Sequence, residues 1–293
     1  MIETIQKCIP LLDEVYASAS KTAILETPQE FVRETAAAGT VLIPDISMDG
    51  LADYDRQNGF VDGDVSLTWK PYELAHDRGR SFQIDNMDDK ESLGVAFAKL
   101  AGEFLRTKVV PEIDAVRFAA YAAGSGYTPT AATPTEDNAV SLLDAAIAEM
   151  QNADVDLEGG FLFMSPEFRN LIRNSSKWTW NLLPGNNPNR GFTSYDDLKT
   201  ILVPQKRFYT EVALNDGKTE GQTAGGYASA GKAINFMIVA PSAVTQITKH
   251  AKARVFAPDV NQKADAYKID YRIYHDGWVQ KNKKMGVYTH HKA

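Results

Sequence analysis

An apolar stripe through the middle of the chain limits its shape more than any other feature. Leu93, Phe97, Leu100 and Phe104 recur at helical spacing, and Ile113, Val116 and Ala120 carry the stripe past Pro111 with a small change of phase. Proline removes one backbone hydrogen bond and kinks a helix without necessarily ending it. A helix over residues 90–123 would be about 50 Å long at a rise of about 1.5 Å per residue. That exceeds the diameter of a small domain.

The stretch before it, "PYELAHDRGRSFQIDNMDDKESLG" (71–94), crowds charges into a strand-like alternation. Val65, Leu67 and Trp69 alternate, and so do Phe82 and Ile84, as in half-buried strands. The preceding "DGLADYDRQNGFVDGDVSLTWK" (49–70) is acidic and turn-rich, with "NGF" and "DGD" as reversal signals. The two alternating limbs predict a long hairpin reaching roughly 35–40 Å at about 3.3 Å per residue. An isolated two-stranded ribbon is marginal in water, so this one is expected to lie on something. Residues 1–38 have helical patches broken by Ser, Thr and Pro28 and read as an arm; "GTVLIPDISM" (39–48) reads as a short strand halted by Pro44.

After the helix, "GSGYTPTAATPT" (124–135) marks a domain boundary. A helix follows, with Thr135 as its expected cap and Leu143, Ile147 and Met150 on one face. "GGFLFMSPEFRNLIRNS" predicts a strand, Ser165 as cap, Pro166 at the first helical position and a short helix. "INFMIVAPSAVTQI" (234–247) repeats that order, "LKTILVPQKRFY" is a further strand, and "ALNDGKTEGQTAGGYASAGKA" reads as a flexible Gly-rich loop. Together they predict a mixed α/β unit over 126–246. "ARVFAPD", "DAYKIDYRIYHDGWV" and "KMGVYTHH" then alternate as antiparallel strands do.

With 293 residues, 44% hydrophobic and 24% charged, the chain has ample material for a core. No apolar run approaches the ~20 residues a membrane helix needs. The start, "MIETIQKCIPLLDEVY", carries acids and a proline and makes a poor signal peptide. One cysteine, Cys8, excludes an internal disulfide and points to a reducing cytosol. The net charge of −7 is unevenly spread. From Asp45 to Glu91 twelve acids face five bases, a net of −7, and from Lys249 to Ala293 ten bases face four acids, a net of +6. These are either two solvated faces or two surfaces that attract each other, within a chain or between copies.

No chemical constellation emerges. Asp85, Asp88, Asp89 and Glu91 lack the spacing of a calcium loop, and carboxylates at a helix start are favoured by capping, with Asp88 or Asp89 as cap. His76, His250, His275, His290 and His291 form no HExxH and read as surface or strand histidines. Cys8 has no CxxC partner. "GGYASAGKA" departs from a phosphate loop, since Ala233 follows Lys232, and GxSxG is absent. Arg272, Lys281, Lys283 and Lys284 interleave with Tyr271, Tyr274 and Trp278, which suits a nucleic-acid surface, but the pI of 5.3 and the lack of a known module favour a solvated strand face. No catalytic, cofactor-binding or metal-binding residue is assigned.

The order of parts resembles the major capsid protein of tailed bacteriophages, with the HK97 fold, and most of all that of phages of Gram-positive bacteria. "YELAHDRGRSFQIDNMDD", "LAGEFLRTKVVPEIDAVRFAAYA", "FLFMSPEFRNLI", "ILVPQKRFY" and "INFMIVAPSAV" carry the likeness, which covers about residues 40–290. The resemblance implies an α+β, HK97-like fold: an N-terminal arm (1–44), an extended E-loop (45–82), a P domain with a long spine helix (83–125 and 247–293), and an A domain (126–246). The Gly-rich loop 215–232 would lie among the A-domain loops around the symmetry axes. The stretch 71–94 then becomes a joint between ribbon and spine, and the acidic ribbon would meet a basic strand set on the next subunit.

The implied role is structural, not enzymatic: a subunit of an icosahedral head around double-stranded DNA, built from pentamers and hexamers. Packaged DNA would be contacted non-specifically, no membrane would be involved, and the protein would sit in the virion after assembly in the host cytoplasm. A portal is expected. Residues 1–44, with Met1 at their start, are too short for a built-in scaffolding region, so a separate scaffolding protein is expected. The ribbon's one lysine, Lys70, stands near its base, so no lysine–asparagine cross-link to a neighbour is expected. The alternatives are an encapsulin-like compartment, a soluble α/β enzyme, and a tail-tube or accessory protein.

Overall fold

The computed structural model describes residues 20–27, 33–34, 39–57, 59–85, 87, 102–128, 131–176, 182–183, 187–188 and 194–293. β1 (Arg33–Glu34) pairs with β2 (Thr40–Met48), and β2 pairs along its whole length with β3 (Val65–Glu73). β4 (His76–Asp85) follows at once. The chain is helical from residue 102, passes through a π-turn at Leu105–Val109 and continues as α1 (Val110–Gly124). Next come α2 (Ala139–Asn152), β5 (Phe161–Met164) and α3 (Pro166–Asn174). The short β6 (Leu182–Leu183), β7 (Asn187–Pro188) and β8 (Ser194–Tyr195) lead to β9 (Leu198–Leu202), β10 (Tyr209–Leu214) and β11 (Tyr227–Val239). β12 (Val244–Phe256), β13 (Ala266–Val279) and β14 (Val287–His291) complete the chain.

"FLFM" and "INFMIV" sit at the centre because both of their faces are covered. The main sheet runs β10-β11-β5-β9-β8, with β14 also on β11. Alternation in β5 and β11 sends Phe163, Met237 and Val239 to one side, where Phe118 and Tyr121 of α1 pack. It sends Leu162, Met164, Phe236 and Ile238 to the other, against Leu143 and Met150 of α2 and Phe168 and Ile172 of α3. A strand buried on both faces reads as a continuous apolar run. Ser165 caps α3, its Oγ accepting from the Phe168 N–H at 3.2 Å. A second sheet runs β12-β13-β4, and Ala253 and Ile273 on it receive Leu105, Val109 and Ile113. One helical rod therefore packs on two sheets, and the fold is α+β.

Several expectations change in the structure. The hairpin forms, but between other limbs than the alternation suggested. β3 turns back on β2, while β4 leaves it and lies along β13, Phe82 opposite Ile269 and Asp77 opposite Tyr274. β2 runs through Pro44, because β1 covers only Val41 and Leu42 and a proline on an open edge costs no ladder bond. The phase change at Pro111 is the π-turn: the Val110 N–H donates to the Leu105 carbonyl, five residues back, giving room to a proline that cannot donate. The spine pattern over 88–101, including the caps Asp88 and Asp89, lies outside the described residues.

Thr135 does not cap α2, which starts at Ala139 directly after a turn at 136–138. The helix expected after Pro241 shrinks to one 3₁₀ turn, Pro241–Ala243, before β12 begins. The expected Gly-rich loop is in large part the β10–β11 hairpin, paired from Leu214–Tyr227 to Tyr209–Ala233. β14, from the C-terminal strand set, joins the main sheet beside β11, Val287 opposite Val239.

Candidate assembly interface

The β2–β3 hairpin has a fixed root and an uncovered end. At the root, Val41, Ile43 and Leu74 form a small core with Ile247, against Tyr72, Tyr274 and Trp278, the Tyr72 and Trp278 rings 5.3 Å apart. The Leu74 N–H donates to the Gly39 carbonyl at 2.8 Å, and the Tyr274 hydroxyl donates to the Leu74 carbonyl at 3.0 Å. Gly39 has φ +86°, and a Cβ there would collide with that hydroxyl, so glycine is required twice over. The Ala75 N–H donates to Asp276 Oδ2 at 2.9 Å. Asp45 pairs with Lys70 and accepts from Asn282 Nδ2 at 2.9 Å. The chain is thus pinned on both sides of the turn from ribbon to β4.

Beyond Asp45 no described residue outside the ribbon packs on its apolar face. Register sets Ile46 opposite Leu67 and Met48 opposite Val65, which places all four on one face, while Ser47, Ser66 and Thr68 take the other. Ile46 and Leu67 are 55% and 56% exposed, and Met48 and Val65 are both 69% exposed. Leu51, Tyr54, Phe60 and Val61 at the tip are exposed too, Tyr54 and Phe60 touching at 4.8 Å. Eight of the twelve large apolar side chains exposed among the described residues thus fall between 46 and 67, so the uncovered apolar surface is one patch and not a scatter. The tip is shaped by its acids: the Asp49 N–H donates to the Asp64 carbonyl at 3.1 Å and the Asp64 N–H to Asp49 Oδ2 at 2.9 Å. Asp49, Asp53, Asp55, Asp62 and Asp64 against Arg56 leave 49–64 with a net of −4.

Four of the ten basic C-terminal residues share one face of the second sheet. Register places Lys252 beside Arg272, Arg254 beside Asp270 and Phe256 beside Lys268. Lys268 pairs with Asp270 at 2.8 Å, and Arg272 Nε donates to Asp77 at 2.8 Å; Lys252 and Arg254 are exposed. On the opposite face, Arg78 ties three parts together. Its Nε donates to Glu112 at 2.7 Å, and its two terminal nitrogens reach the carbonyls of Asn215 (2.8 Å) and Gly226 (3.2 Å). Arg80 reaches the Thr223 carbonyl at 3.2 Å. The loop 215–226 is therefore held against β4 and α1, beside a groove of about 800 Å³ floored by Phe82, Phe104 and Ile273.

The residues weighed for chemistry are dispersed. Asp85 closes a turn by accepting from the Met87 N–H at 2.8 Å; Asp88, Asp89, Glu91 and Cys8 lie outside the described residues. Lys232 belongs to β11, its N–H donating to Thr210 Oγ1. Tyr271 packs on Phe104, and Tyr274 and Trp278 belong to the hairpin root, so these rings are occupied by packing and form no stacking platform. His76 and His275 stack at 5.9 Å, and His290 lies flat on Phe236 at 5.0 Å. Among the described residues no three acidic, histidine or cysteine side chains gather as a metal site, and no helix is long and apolar enough to cross a membrane.

Burial holds His275 down to about 3, with Arg117, His76 and Arg78 adding to the effect, and burial holds His290 down to about 4. The unfolded chain takes up a proton near pH 6.5 that the folded chain refuses, so stability falls as pH drops through 6.5 and keeps falling toward 3. For His275 the loss at pH 5 is about 2 kcal/mol. Urea midpoints of the isolated chain at pH 7.5 and 5 should show it, and His275→Gln should flatten the slope.

Asp114 and Arg117 were missed in the sequence. Both are fully buried in α1, where the signal was a charge pair three residues apart inside an apolar run. Asp114 pairs with Arg207 at 3.1 Å and accepts from Ser20, Lys21 and Thr22.

No protein-family model and no curated protein matches the chain. Solved structures do. One from Mycobacterium phage Che8 is similar with a TM-score of 0.61 at 14% identity, over 92% of this chain and 90% of that one. The capsid of Cyanophage P-SCSP1u is similar with a TM-score of 0.57 at 12% identity, over 92% and 86%. A virus-like particle from Pyrococcus furiosus is similar with a TM-score of 0.50 at 9% identity, over 98% and 99%. These similarities extend over most of the chain, and the chain has the HK97-like, α+β fold of phage capsid structures.

Proposed function

We propose that this chain is the subunit of an icosahedral phage head, which assembles through its ribbon into pentamers and hexamers around double-stranded DNA. The observation that carries the reading is the ribbon: its root is fixed and its outer half presents an apolar face that no described residue covers. Burying a side chain of this size is favourable by about 1.5–3 kcal/mol, so a second copy laid against the face has a strong incentive to stay. Many modest contacts of this kind stabilise a closed assembly. The role is structural. DNA inside needs only containment, and sequence-reading contacts would hinder packaging.

In this reading residues 1–44 are the arm and 45–82 the E-loop, 83–125 with 247–293 form the P domain, and 126–246 form the A domain. The pairings of β4 and β14 knit these units together. The −4 tip of one copy meets the Lys252–Arg254 face of the next. A separate scaffolding protein and a portal complete the assembly, which forms in the host cytoplasm and ends in the virion.

Electron microscopy of the purified chain, alone and with its scaffolding protein, tests the reading: closed shells are expected, and a stable monomer or dimer in both samples overturns it. Asp62→Lys with Asp64→Lys should lower shell yield several-fold, with a weaker dependence on salt; unchanged yield and salt response would remove the charge contact from the account. The match in length to the Pyrococcus particle favours a second reading, a protein compartment. Protein cargo in place of DNA inside purified shells would select it.

A further inference from the structure

The outer edge of the ribbon has no strand partner among the described residues, since β3 ends the sheet β1-β2-β3. Two backbone bonds fix the phase of its ladder with β2. The Leu74 N–H donates to the Gly39 carbonyl at one end, and the Asp49 N–H donates to the Asp64 carbonyl at the other. Antiparallel pairs alternate between bonded and non-bonded. Through an unbroken register, Ser66, Thr68 and Lys70 therefore bond to β2, while Val65, Leu67 and Trp69 point N–H and C=O away from it. The prolines agree with this phase. Pro71 lies opposite Leu42 and Pro44 opposite Trp69, both at positions where no ladder bond is lost.

Natural sheets guard a free edge with charges, proline or a bulge. β4, also an edge strand, carries Asp77, Arg78 and Arg80 and is held against the loop 215–226. "VSLTW" (65–69) has no charge, proline or glycine, and its pairing with β2 has no bulge. It is made of strand formers, and Val65 and Leu67 are exposed. Such an edge is a template for another strand. Its flanking charges say which strand. Laid antiparallel on a second copy of itself about Leu67, the run sets Val65 against Trp69, Ser66 against Thr68 and Asp64 against Lys70. Opposite charges then meet at both ends, whereas a parallel in-register pair would set Asp64 against Asp64. Lys70 keeps 44% of its side chain exposed beside Asp45, on the same face as Asp64. Pro71, with no N–H to give, ends the ladder.

We propose that β3 is a self-complementary edge: two copies of the chain join through an antiparallel β3–β3 pair centred on Leu67, giving a continuous sheet in the order β2-β3-β3-β2. Val65, Leu67 and Trp69 of each copy exchange backbone hydrogen bonds, and the apolar faces of the two ribbons merge into one strip. The contact is isologous, so each copy offers the same residues to the other. The inference rests on the reading of the ribbon as an assembly element, to which it adds the strand, the register and the twofold relation.

The test is a cross-link on the polar face of the ribbon. In a Cys8→Ser background, one full-length copy carries Ser66→Cys and a second carries Thr68→Cys; the two are co-expressed and oxidised. Side chains directly opposed across such a pair have Cβ atoms about 4.5–5.5 Å apart, close to what a disulfide needs. A covalent dimer on a non-reducing gel is expected from the mixture and little from either copy alone. Leu67→Pro in both copies removes an outward N–H and should cut the yield about tenfold, while Leu67→Ala, which keeps that N–H, should cut it less. Absence of the mixed dimer, as when another segment of the same chain takes the edge, overturns the pairing; if shells still form, the capsid reading stands. Mixed dimers from a chain that never closes into shells support the pairing and count against the capsid reading. Equal yields from one copy and from the mixture, or from Leu67→Pro and Leu67→Ala, would put the contact in another register or off the edge and overturn it.

Discussion

Glutamate at both Ile46 and Leu67 is expected to abolish shell formation and leave the subunit folded. The two side chains face each other across the ribbon and are 55% and 56% exposed, so replacing them removes almost no packing within the chain. Exposed substitutions of this kind usually change stability by less than about 0.5 kcal/mol. Between copies the balance reverses. Each substitution forfeits about 1.5–3 kcal/mol of apolar burial and adds the cost of desolvating a carboxylate. That penalty recurs at every copy of the contact, so the assembly fails cooperatively. Sedimentation should show soluble small species with a wild-type circular dichroism spectrum. Shells at wild-type yield would mean that the ribbon's apolar face is not an interface.

Asp114→Ala is expected to have the largest effect on the fold itself, a loss of about 3–5 kcal/mol, the usual cost of removing one partner from a buried charge pair. Four hydrogen bonds to residues 20–22 disappear, Arg207 loses its counter-charge, and Arg117 remains buried beside the gap. Urea unfolding of the unassembled chain measures it. Asp216 supplies the control. Its carboxylate also accepts three hydrogen bonds, from the Lys218 and Thr219 N–H groups and Thr219 Oγ1, and they hold it down at about 2. It does so in open solvent, where water replaces what a mutation removes, so Asp216→Ala should barely move the midpoint. Equal losses at the two sites would show that burial is not what makes Asp114 matter.

Much of the fold was legible from residue order. "FLFM", "INFMIV" and the C-terminal alternations are strands, and Ser165-Pro166 opens a helix, because the periods of 2 and 3.6 and the cap chemistry are local. Strand partners were not legible. Val65–Glu73 and His76–Asp85 look like two limbs of one hairpin, being neighbours with the same alternation. In the structure each has a different partner, since β2 offers β3 a full-length register and β13 offers one to β4. A period says which face of a strand is buried; it does not say what buries it.

The uncovered ribbon shows the same division. Its acids and its Val-Leu-Trp alternation stand in the sequence, but Trp69 lies opposite Pro44 near the fixed root while Leu67 and Val65 face solvent, a difference only the register reveals. By itself the sequence determined which segments are strands and helices, where the chain turns, and how its charge is divided. Only the tertiary structure decided which strands pair, that Thr22 and Leu25 are buried against α1, and which apolar face no described residue covers. The reason is physical: local propensity acts through neighbours along the chain, whereas pairing, buried charge and exposed surface depend on residues tens to hundreds of positions apart meeting in space.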